Sequence, residues 1–167
     1  MPRARIHVIP TAGPDDLCGL KQLIDQADIL PDRLIAVLGK NEGNGCVNDF
    51  TRAFAVTELK RFLGSAGEDV TMVMSGGTEG ALSPHLVTFE VLDEEGKGPA
   101  MAIGAAITHD LITSEIGTMA QVQCVSEAVR KTVGSAGIYN TEDVHFVQIK
   151  CPLLTSDRIA MSEIQTA

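Results

Sequence analysis

The sequence predicts an α/β fold in which buried strands alternate with amphipathic helices. Three observations support this prediction. Short runs of strand-forming residues are bounded by turn residues, and apolar residues between them recur at helical spacing. A faint internal repeat relates "PDRLIAVLGK" (residues 31–40) to "TEDVHFVQIK" (residues 141–150). Each copy has an acidic turn, an apolar strand and a terminal lysine, a pattern that indicates stacked, homologous units.

The first forty residues are predicted to form a strand, a helix and a second strand. Residues 3–9 alternate and are rich in isoleucine and valine, which indicates a strand. The turn "TAGPDD" is expected to open a helix, with Pro14 at its first position. Residues 34–38 are continuously apolar, as in a strand buried on both faces, and lead into Gly39 and Lys40. The helix is predicted to face inward through Leu17, Leu20, Leu23 and Ile24.

A glycine-rich loop, "NEGNGCVND", connects Lys40 to a second predicted helix at residues 49–63. Gly64 is the expected C-terminal stop of this helix. Residues 70–74 then form a predicted strand, which ends at Ser75 in the loop "SGGTEG". The inward face of the helix is predicted to contain Phe54, Ala55, Leu59 and Phe62.

The second half of the chain is predicted to continue the same alternation. Strands are expected at residues 85–92, 101–107 and 144–149, with "DEEGKG" as the turn after the first of them. Residues 116–133 have a helical period. "TSDRIAMSEI" is expected to start a last helix, with Thr155 or Ser156 as its N-cap.

Composition argues against several classes of function. The net charge is −9, which disfavours nucleic acid and anionic membranes as partners. Residues 1–10 have no long apolar core, so no signal peptide is predicted, and no apolar run is long enough to span a bilayer. The four cysteines lack metal-ligand spacing and are predicted to be reduced thiols of a cytoplasmic protein: Cys18, Cys46, Cys124 and Cys151.

Ser75, Lys40 and Lys150 are the residues most suited to chemistry, because each follows an apolar strand. A serine hydroxyl is a weak nucleophile until a base takes its proton, and a lysine amine in a buried setting can be that base. Parallel neighbouring strands would bring such ends to one edge of a sheet. Gly76 and Gly77 would let a substrate approach the backbone and would expose amide N–H groups to a developing oxyanion.

Simpler explanations exist for each of these features. "SGGTEG" is as well explained by a plain glycine turn, and a single lysine at a strand end is more often solvated than catalytic. Arg52 is either a surface cation or a planar donor for a small, flat, oxygen-rich substrate. Cys46 is predicted to be a buried structural thiol. No metal site is predicted, because the histidines show no ligand spacing: His7, His85, His109 and His145.

Three motifs together resemble the ring-opening amidohydrolases. They are "GKNEGNGCVNDFTR" (residues 39–52), "MSGGTEGALSPH" (residues 74–85) and "DVHFVQIKCPLLT" (residues 143–155). The resemblance covers essentially the whole chain and keeps the order of the motifs. Members of this family open the ring of cyanuric acid or of barbituric acid, and the intact "GNGCVND" and "SGGTEG" favour the cyanuric acid members.

The resemblance implies a pseudo-three-fold barrel of three homologous α/β units with helices outside. Residues 1–98 would be the first unit and residues 99–167 the N-terminal part of the second. Each unit gives a lysine, a serine and an arginine to a central site. Lys40, Arg52 and Ser75 match the first set, and Lys150 matches the lysine that serves as base for the second unit's serine.

The implied reaction is the hydrolysis of cyanuric acid to carboxybiuret and then biuret. Lys150, Ser75 and Lys40 would be catalytic, while Arg52, Ser75 and Gly76 would contact the substrate. No cofactor is implied for catalysis, and the family's structural metal site would lie beyond this chain. The expected partners are the C-terminal remainder of the protein and further copies in a homo-oligomer. The alternatives are barbituric acid as substrate, or an inactive module that binds a ligand or assembles.

Overall fold

The computed structural model of the chain describes residues 3–77, 82–92 and 100–165. The chain divides into two compact units, Met1–Ala105 and Ala106–Ala167. The expected turn "DEEGKG" and the part of "SGGTEG" after Gly77 lie outside the described residues. The repeat boundary between residues 98 and 99 stays a prediction.

The first unit contains a four-stranded sheet. All four strands predicted before residue 100 are present in it. The spatial order is first, fourth, second, third strand along the chain. The second and third strands are parallel, and the other two pairings are antiparallel. The strands are β1 (Arg3–Pro10), β2 (Leu34–Lys40), β3 (Thr71–Ser75) and β4 (His85–Leu92).

One face of the sheet forms the core of the first unit together with two helices. Burial alternates along β3 and β4, so that every second side chain points into this core. The core cluster combines aliphatic residues with two methionines of β3: Ile9, Leu20, Ile29, Leu34, Val37, Ala55, Leu59, Leu63, Val70, Met72, Met74 and Leu86. On β1, by contrast, the alternate residues Ile6 and Val8 are 42% and 67% exposed.

The register between β2 and β3 is fixed by a close fit one residue before the strand ends. Gly39 is the partner of Met74, and Lys40 is the partner of Ser75. A Cβ atom on Gly39 would overlap the sulfur of Met74. Glycine is therefore needed at residue 39, because the methionine side chain fills the space above it.

Helix α1 (Cys18–Asp25) starts later than the sequence predicts. Pro14 lies in the preceding turn and not at the first helical position. The reason is Asp16, whose carboxylate accepts the N–H groups of Ala12 at 2.8 Å and Cys18 at 3.1 Å. These bonds close a local turn before the first helical residue.

Helix α2 (Thr51–Leu63) ends as predicted, with Gly64 in the left-handed region at φ 57°. The prediction that Phe54 and Phe62 face inward is wrong, since they are 39% and 38% exposed. The buried residues of α2 recur every four positions, which leaves both phenylalanines beside the stripe. This stripe consists of Thr51, Ala55, Leu59 and Leu63.

Glu90 anchors β4 within the first unit through a fully buried carboxylate. Arg5 of β1 donates to both of its oxygens, at 3.0 and 3.1 Å. The N–H of Leu30, just before β2, also donates to Glu90 at 2.8 Å. Because a buried carboxylate needs such partners, this contact ties β1, β4 and the entry to β2 together.

The second unit contains two helices, α3 (Met119–Ser135) and α4 (Ser156–Gln165). Thr155 caps α4, because its hydroxyl accepts the N–H of Arg158 at 3.4 Å. The acidic turns of the two repeat copies are both short 3-10 helices, Pro31–Arg33 and Thr141–Asp143. None of the helices in the described part of the chain is long and apolar enough to cross a membrane.

The strands predicted at residues 101–107 and 144–149 are wrong for this structure, because neither segment has regular secondary structure. A strand needs a neighbour to pair its backbone N–H and C=O groups. Residues 106–165 contain no sheet in the structure as described, so 144–149 has no strand to pair with. Residue 101 makes a single backbone bond to the first sheet, from the N–H of Ala4 to the Met101 carbonyl at 2.9 Å.

Candidate functional site

The ends of two parallel strands bring Lys40 and Ser75 together. The two residues are Cα partners at the ends of β2 and β3. The Nζ atom of Lys40 lies 3.4 Å from the Oγ atom of Ser75. The apolar runs before them cause this arrangement, because they place both strands in the sheet and release both polar side chains at the same edge.

The carbonyl of Gly76 holds the lysine amine beside the serine. Lys40 Nζ donates to this carbonyl at 2.6 Å, and Ser75 Oγ donates to it at 3.3 Å. Gly76 is itself buried, whereas Ser75 is exposed. The amine is therefore anchored at a fixed place next to a hydroxyl that solvent and small molecules can reach.

The loop after β2 is bonded to the loop after β3. The N–H of Asn41 donates to the Ser75 carbonyl at 2.8 Å, and the N–H of Gly77 donates to the Gly43 carbonyl at 2.6 Å. The expectation that Gly77 exposes its N–H to an oxyanion is therefore wrong, because that donor is already used. The buried side chain of Asn41 adds a bond from Nδ2 to the Thr51 carbonyl at 3.4 Å.

Asp49 is a buried carboxylate at the centre of this loop. Its Oδ1 atom accepts the N–H of Thr51 at 3.0 Å and the Thr51 hydroxyl at 2.5 Å. Its Oδ2 atom accepts the N–H of Gly45 at 2.9 Å. The bond from the Thr51 hydroxyl is the largest influence that lowers the pKa of Asp49, and the two N–H groups and Arg52 lower it further. An aspartate two residues before a helix start is the sequence signal that could have indicated this local turn.

Arg52 lies on the first turn of α2 and contacts the same loop. Its Nη2 atom donates to the Cys46 carbonyl at 2.5 Å, and its Nε atom lies 3.8 Å from Asp49 Oδ2. Cys46 itself is exposed, so the prediction of a buried thiol is wrong at this position. The backbone of Cys46 bonds Asn44 and Arg52, and residues 44–48 of this loop are all exposed.

Lys150 lies in the second unit, exposed, in a segment without regular structure before α4. Its catalytic role stays a prediction. The described first unit brings together Lys40, Ser75 and Gly76 directly, and it connects Arg52 to them through Asp49. Within residues 3–77, 82–92 and 100–165, no three histidine, cysteine, aspartate or glutamate side chains are grouped as metal ligands.

Comparisons with known proteins identify relatives that share one name. Cyanuric acid amidohydrolase of Azorhizobium caulinodans is 49% identical over 173 residues, which cover 100% of this chain and 49% of the relative. The enzyme of the same name from Ectopseudomonas oleovorans is 49% identical over 169 residues, covering 94% of this chain and 47% of the relative. The chain thus spans about half the length of the curated relatives it matches.

Two solved structures have the same fold as this chain over about half of their own length. The crystal structure of cyanuric acid hydrolase from A. caulinodans superimposes with a TM-score of 0.93 at 51% identity, covering 100% of this chain and 48% of that one. A second cyanuric acid hydrolase structure gives a TM-score of 0.90 at 40% identity, covering 99% and 49%. The α/β class expected from the sequence is thereby confirmed, and the chain corresponds to about half of each solved structure. Since residues 5–167 also match the family model described as amidohydrolase ring-opening protein, the chain belongs to the ring-opening amidohydrolase family.

Proposed function

We propose that the protein carrying this chain hydrolyses the ring of cyanuric acid. The observation that carries the proposal is the placement of Lys40 Nζ 3.4 Å from Ser75 Oγ at the open edge of a parallel strand pair. This geometry supplies a nucleophile with an adjacent base, which is what amide cleavage requires. The chemistry uses side chains and water, with no cofactor.

In the proposed reaction, Ser75 Oγ attacks a ring carbonyl carbon while the neutral Lys40 amine takes the hydroxyl proton. The electron pair of the carbonyl moves to its oxygen, which forms a tetrahedral oxyanion. Collapse of this intermediate breaks the ring C–N bond, and the leaving nitrogen receives the proton from Lys40. Water, deprotonated by the same amine, then attacks the acyl carbon, the ester C–O bond to Ser75 breaks, and the lysine ammonium returns the proton to Ser75 Oγ. The product is carboxybiuret, which loses carbon dioxide to give biuret.

Anchoring of the amine suits this role for Lys40. A base must stay within hydrogen-bond reach of the proton it takes, and such contacts are often long before substrate binds. The bond of 2.6 Å from Nζ to the Gly76 carbonyl keeps the amine in place beside Ser75 Oγ, which donates to the same carbonyl at 3.3 Å. Lys150 is proposed to serve the second unit's serine in the same way.

Arg52 is proposed to bind a ring oxygen of the substrate. Its guanidinium is planar and carries five N–H donors, which suits a flat ring with carbonyl groups around its edge. Arg52 is held from two sides, by the Cys46 carbonyl and by Asp49. A donor fixed in this way loses little conformational freedom when substrate binds.

Cyanuric acid is a better supported substrate than barbituric acid. The curated relatives that match this chain at 39–49% identity over nearly all of its length have names that specify cyanuric acid. Barbituric acid, the alternative expected from the sequence, has no comparable support.

The chain is proposed to act together with the rest of its protein and within a homo-oligomer. It spans only about half of its relatives, and the structure as described contains a single Lys–Ser pair at hydrogen-bond distance. A second candidate function for the isolated chain is therefore ligand binding without turnover. A cytoplasmic location is proposed as well, because all four cysteines are free and three of them are exposed.

The full-length protein should be purified and assayed with cyanuric acid and, separately, with barbituric acid. We expect biuret by mass spectrometry from the first and no ring opening of the second. The chain of residues 1–167 should be titrated with cyanuric acid in parallel. Turnover of barbituric acid alone would overturn the substrate assignment. Binding of cyanuric acid without turnover by the full-length protein would favour the binding module instead.

A further inference from the structure

The carboxylate of Asp49 lies between the loop after β2 and the loop after β3. Its side chain is 1% exposed. Oδ1 is used by Thr51, at the start of α2, while Oδ2 is used by Gly45 and lies 3.8 Å from Arg52 Nε. Oδ1 therefore closes the turn before α2, whereas Oδ2 faces the backbone of Gly45 and the side chain of Arg52.

Two glycines beside Asp49 show what else its carboxylate contacts. A Cβ atom on Gly76 would overlap Asp49 Oδ2, and it would also lie 2.9 Å from the nitrogen and 3.0 Å from the Cα of Gly45. A Cβ atom on Gly43 would overlap both carboxylate oxygens. These glycines are needed because the carboxylate packs directly on their backbone.

The backbone of Gly76 is bonded to both reactive groups. Its carbonyl receives the Lys40 amine at 2.6 Å, and it follows Ser75 directly in the chain. A shift of Gly76 would move the amine and the hydroxyl relative to each other. Asp49 Oδ2 packs on Gly76, whose carbonyl bonds Lys40 and Ser75, and it also faces Arg52. One carboxylate is therefore connected to all three proposed site residues.

We propose that Asp49 is a positioning residue for the reaction, which rests on the proposed function. Its charged carboxylate holds Gly76 so that Lys40 stays beside Ser75, and it orients the guanidinium of Arg52. Asp49 does not touch the reacting atoms. The hydrogen bonds that lower its pKa keep the carboxylate charged across the neutral range, as this role requires.

Asp49→Asn in the full-length protein is the sharpest test, because it keeps the size of the side chain. An amide has an acceptor oxygen on one side only, so either Thr51 or Gly45 loses its acceptor, and the neutral amide no longer attracts Arg52. We expect kcat/KM for cyanuric acid to fall by about 100-fold, most of it in kcat, as for a misplacement of reacting groups by roughly 1 Å.

Asp16→Asn is the matched control. Asp16 also accepts two backbone N–H groups in the turn before a helix, and hydrogen bonds likewise lower the pKa of its carboxyl. We expect this variant to lose some thermal stability while kcat/KM stays within about 2-fold of the parent. Equal losses of kcat/KM in both variants, or a change below about 3-fold in Asp49→Asn, would overturn the proposal.

A second readout does not depend on turnover. Labelling of Lys40 by an amine-reactive reagent should be followed by peptide mass spectrometry, with exposed Lys21 as the internal standard. We expect Lys40 to react several-fold faster in Asp49→Asn, because its bond to Gly76 is loosened, and Lys21 to be unchanged. Faster labelling in a protein that does not open cyanuric acid would reject the proposed function and keep the positioning role. Unchanged labelling in an active protein would reject the positioning role alone.

Thr51→Val tests the positioning role of Asp49 if Asp49→Asn does not fold. This variant keeps the carboxylate and the side-chain size but removes the hydroxyl that donates to Oδ1 at 2.5 Å. We expect the same direction of change in both readouts, with kcat/KM reduced by about 5-fold to 10-fold. No change in either readout would overturn the proposal.

Discussion

Lys40 and Ser75 are Cα partners on two parallel strands, and the lysine amine lies 3.4 Å from the serine hydroxyl. If this pair performs the reaction, Ser75→Ala and Lys40→Met in the full-length protein should each lower kcat by at least about 100-fold. Ser65→Ala, at an exposed position, is the control. Steady-state kinetics with cyanuric acid checks this prediction, and near-normal kcat in either variant would exclude that residue from the chemistry.

Arg52→Lys should chiefly raise KM. A single ammonium group cannot reproduce the planar fork of donors that a guanidinium offers to a ring oxygen. We expect KM to rise by about 10-fold with kcat changed less. Arg61→Lys, an exposed position on the same helix, should leave both constants unchanged. An unaltered KM in Arg52→Lys would remove Arg52 from the substrate site.

Gly76→Ala should destabilise the protein, because the added Cβ overlaps Asp49 Oδ2. Overpacking of a closely packed site typically costs about 1–3 kcal/mol. Urea unfolding should detect the loss as a lower midpoint. Gly134→Ala is the control, since a Cβ at that position of α3 meets no atom within 4 Å. Equal midpoints for Gly76→Ala and the parent protein would mean that the loop contact is wrong.

Stability at low pH should depend on Asp49. Its folded-state pKa is below the reference value of 3.8, so its carboxylate stabilises the fold above that pH and loses this contribution as pH falls through the folded-state pKa. The free energy of unfolding should therefore drop below about pH 4 in the parent and drop less steeply in Asp49→Asn. Asp110→Asn, at an exposed position, controls for the loss of one negative charge. If the free energy of unfolding fell equally with decreasing pH in the parent and in Asp49→Asn, the prediction would be contradicted.

The chain of residues 1–167 is not expected to be a stable monomer when isolated. Exposed apolar side chains occur on edge strand β1 and in the segment before α4, at Ile6, Val8 and Phe146. Such an edge promotes association. Size-exclusion chromatography with light scattering should show oligomers or aggregates, and Val8→Lys should reduce them. A monodisperse, two-state monomer would show that this stretch folds independently.

The sequence was sufficient to predict β2, β3 and the residues that end them. Continuous apolar runs followed by Lys40 and Ser75 are local signals, and the parallel pairing makes those ends neighbours. The role of Asp49 could not be predicted in the same way, because it depends on a contact with Gly76, which is distant in sequence. The strands expected at residues 101–107 and 144–149 failed for a related reason, since a strand pattern does not specify which neighbour will pair with it.

The close fit between Gly39 and Met74 fixes which residue of β3 lies opposite Lys40. If β3 slipped by one residue, Met74 or Gly76 would come opposite Lys40, and the serine hydroxyl would turn towards the buried face. The methionine sulfur prevents this slip because only Gly39 leaves room for it. A substitution at Gly39 would therefore displace Ser75 without contacting it. The alignment of Lys40 with Ser75 depends on the two residues that directly precede them in their strands.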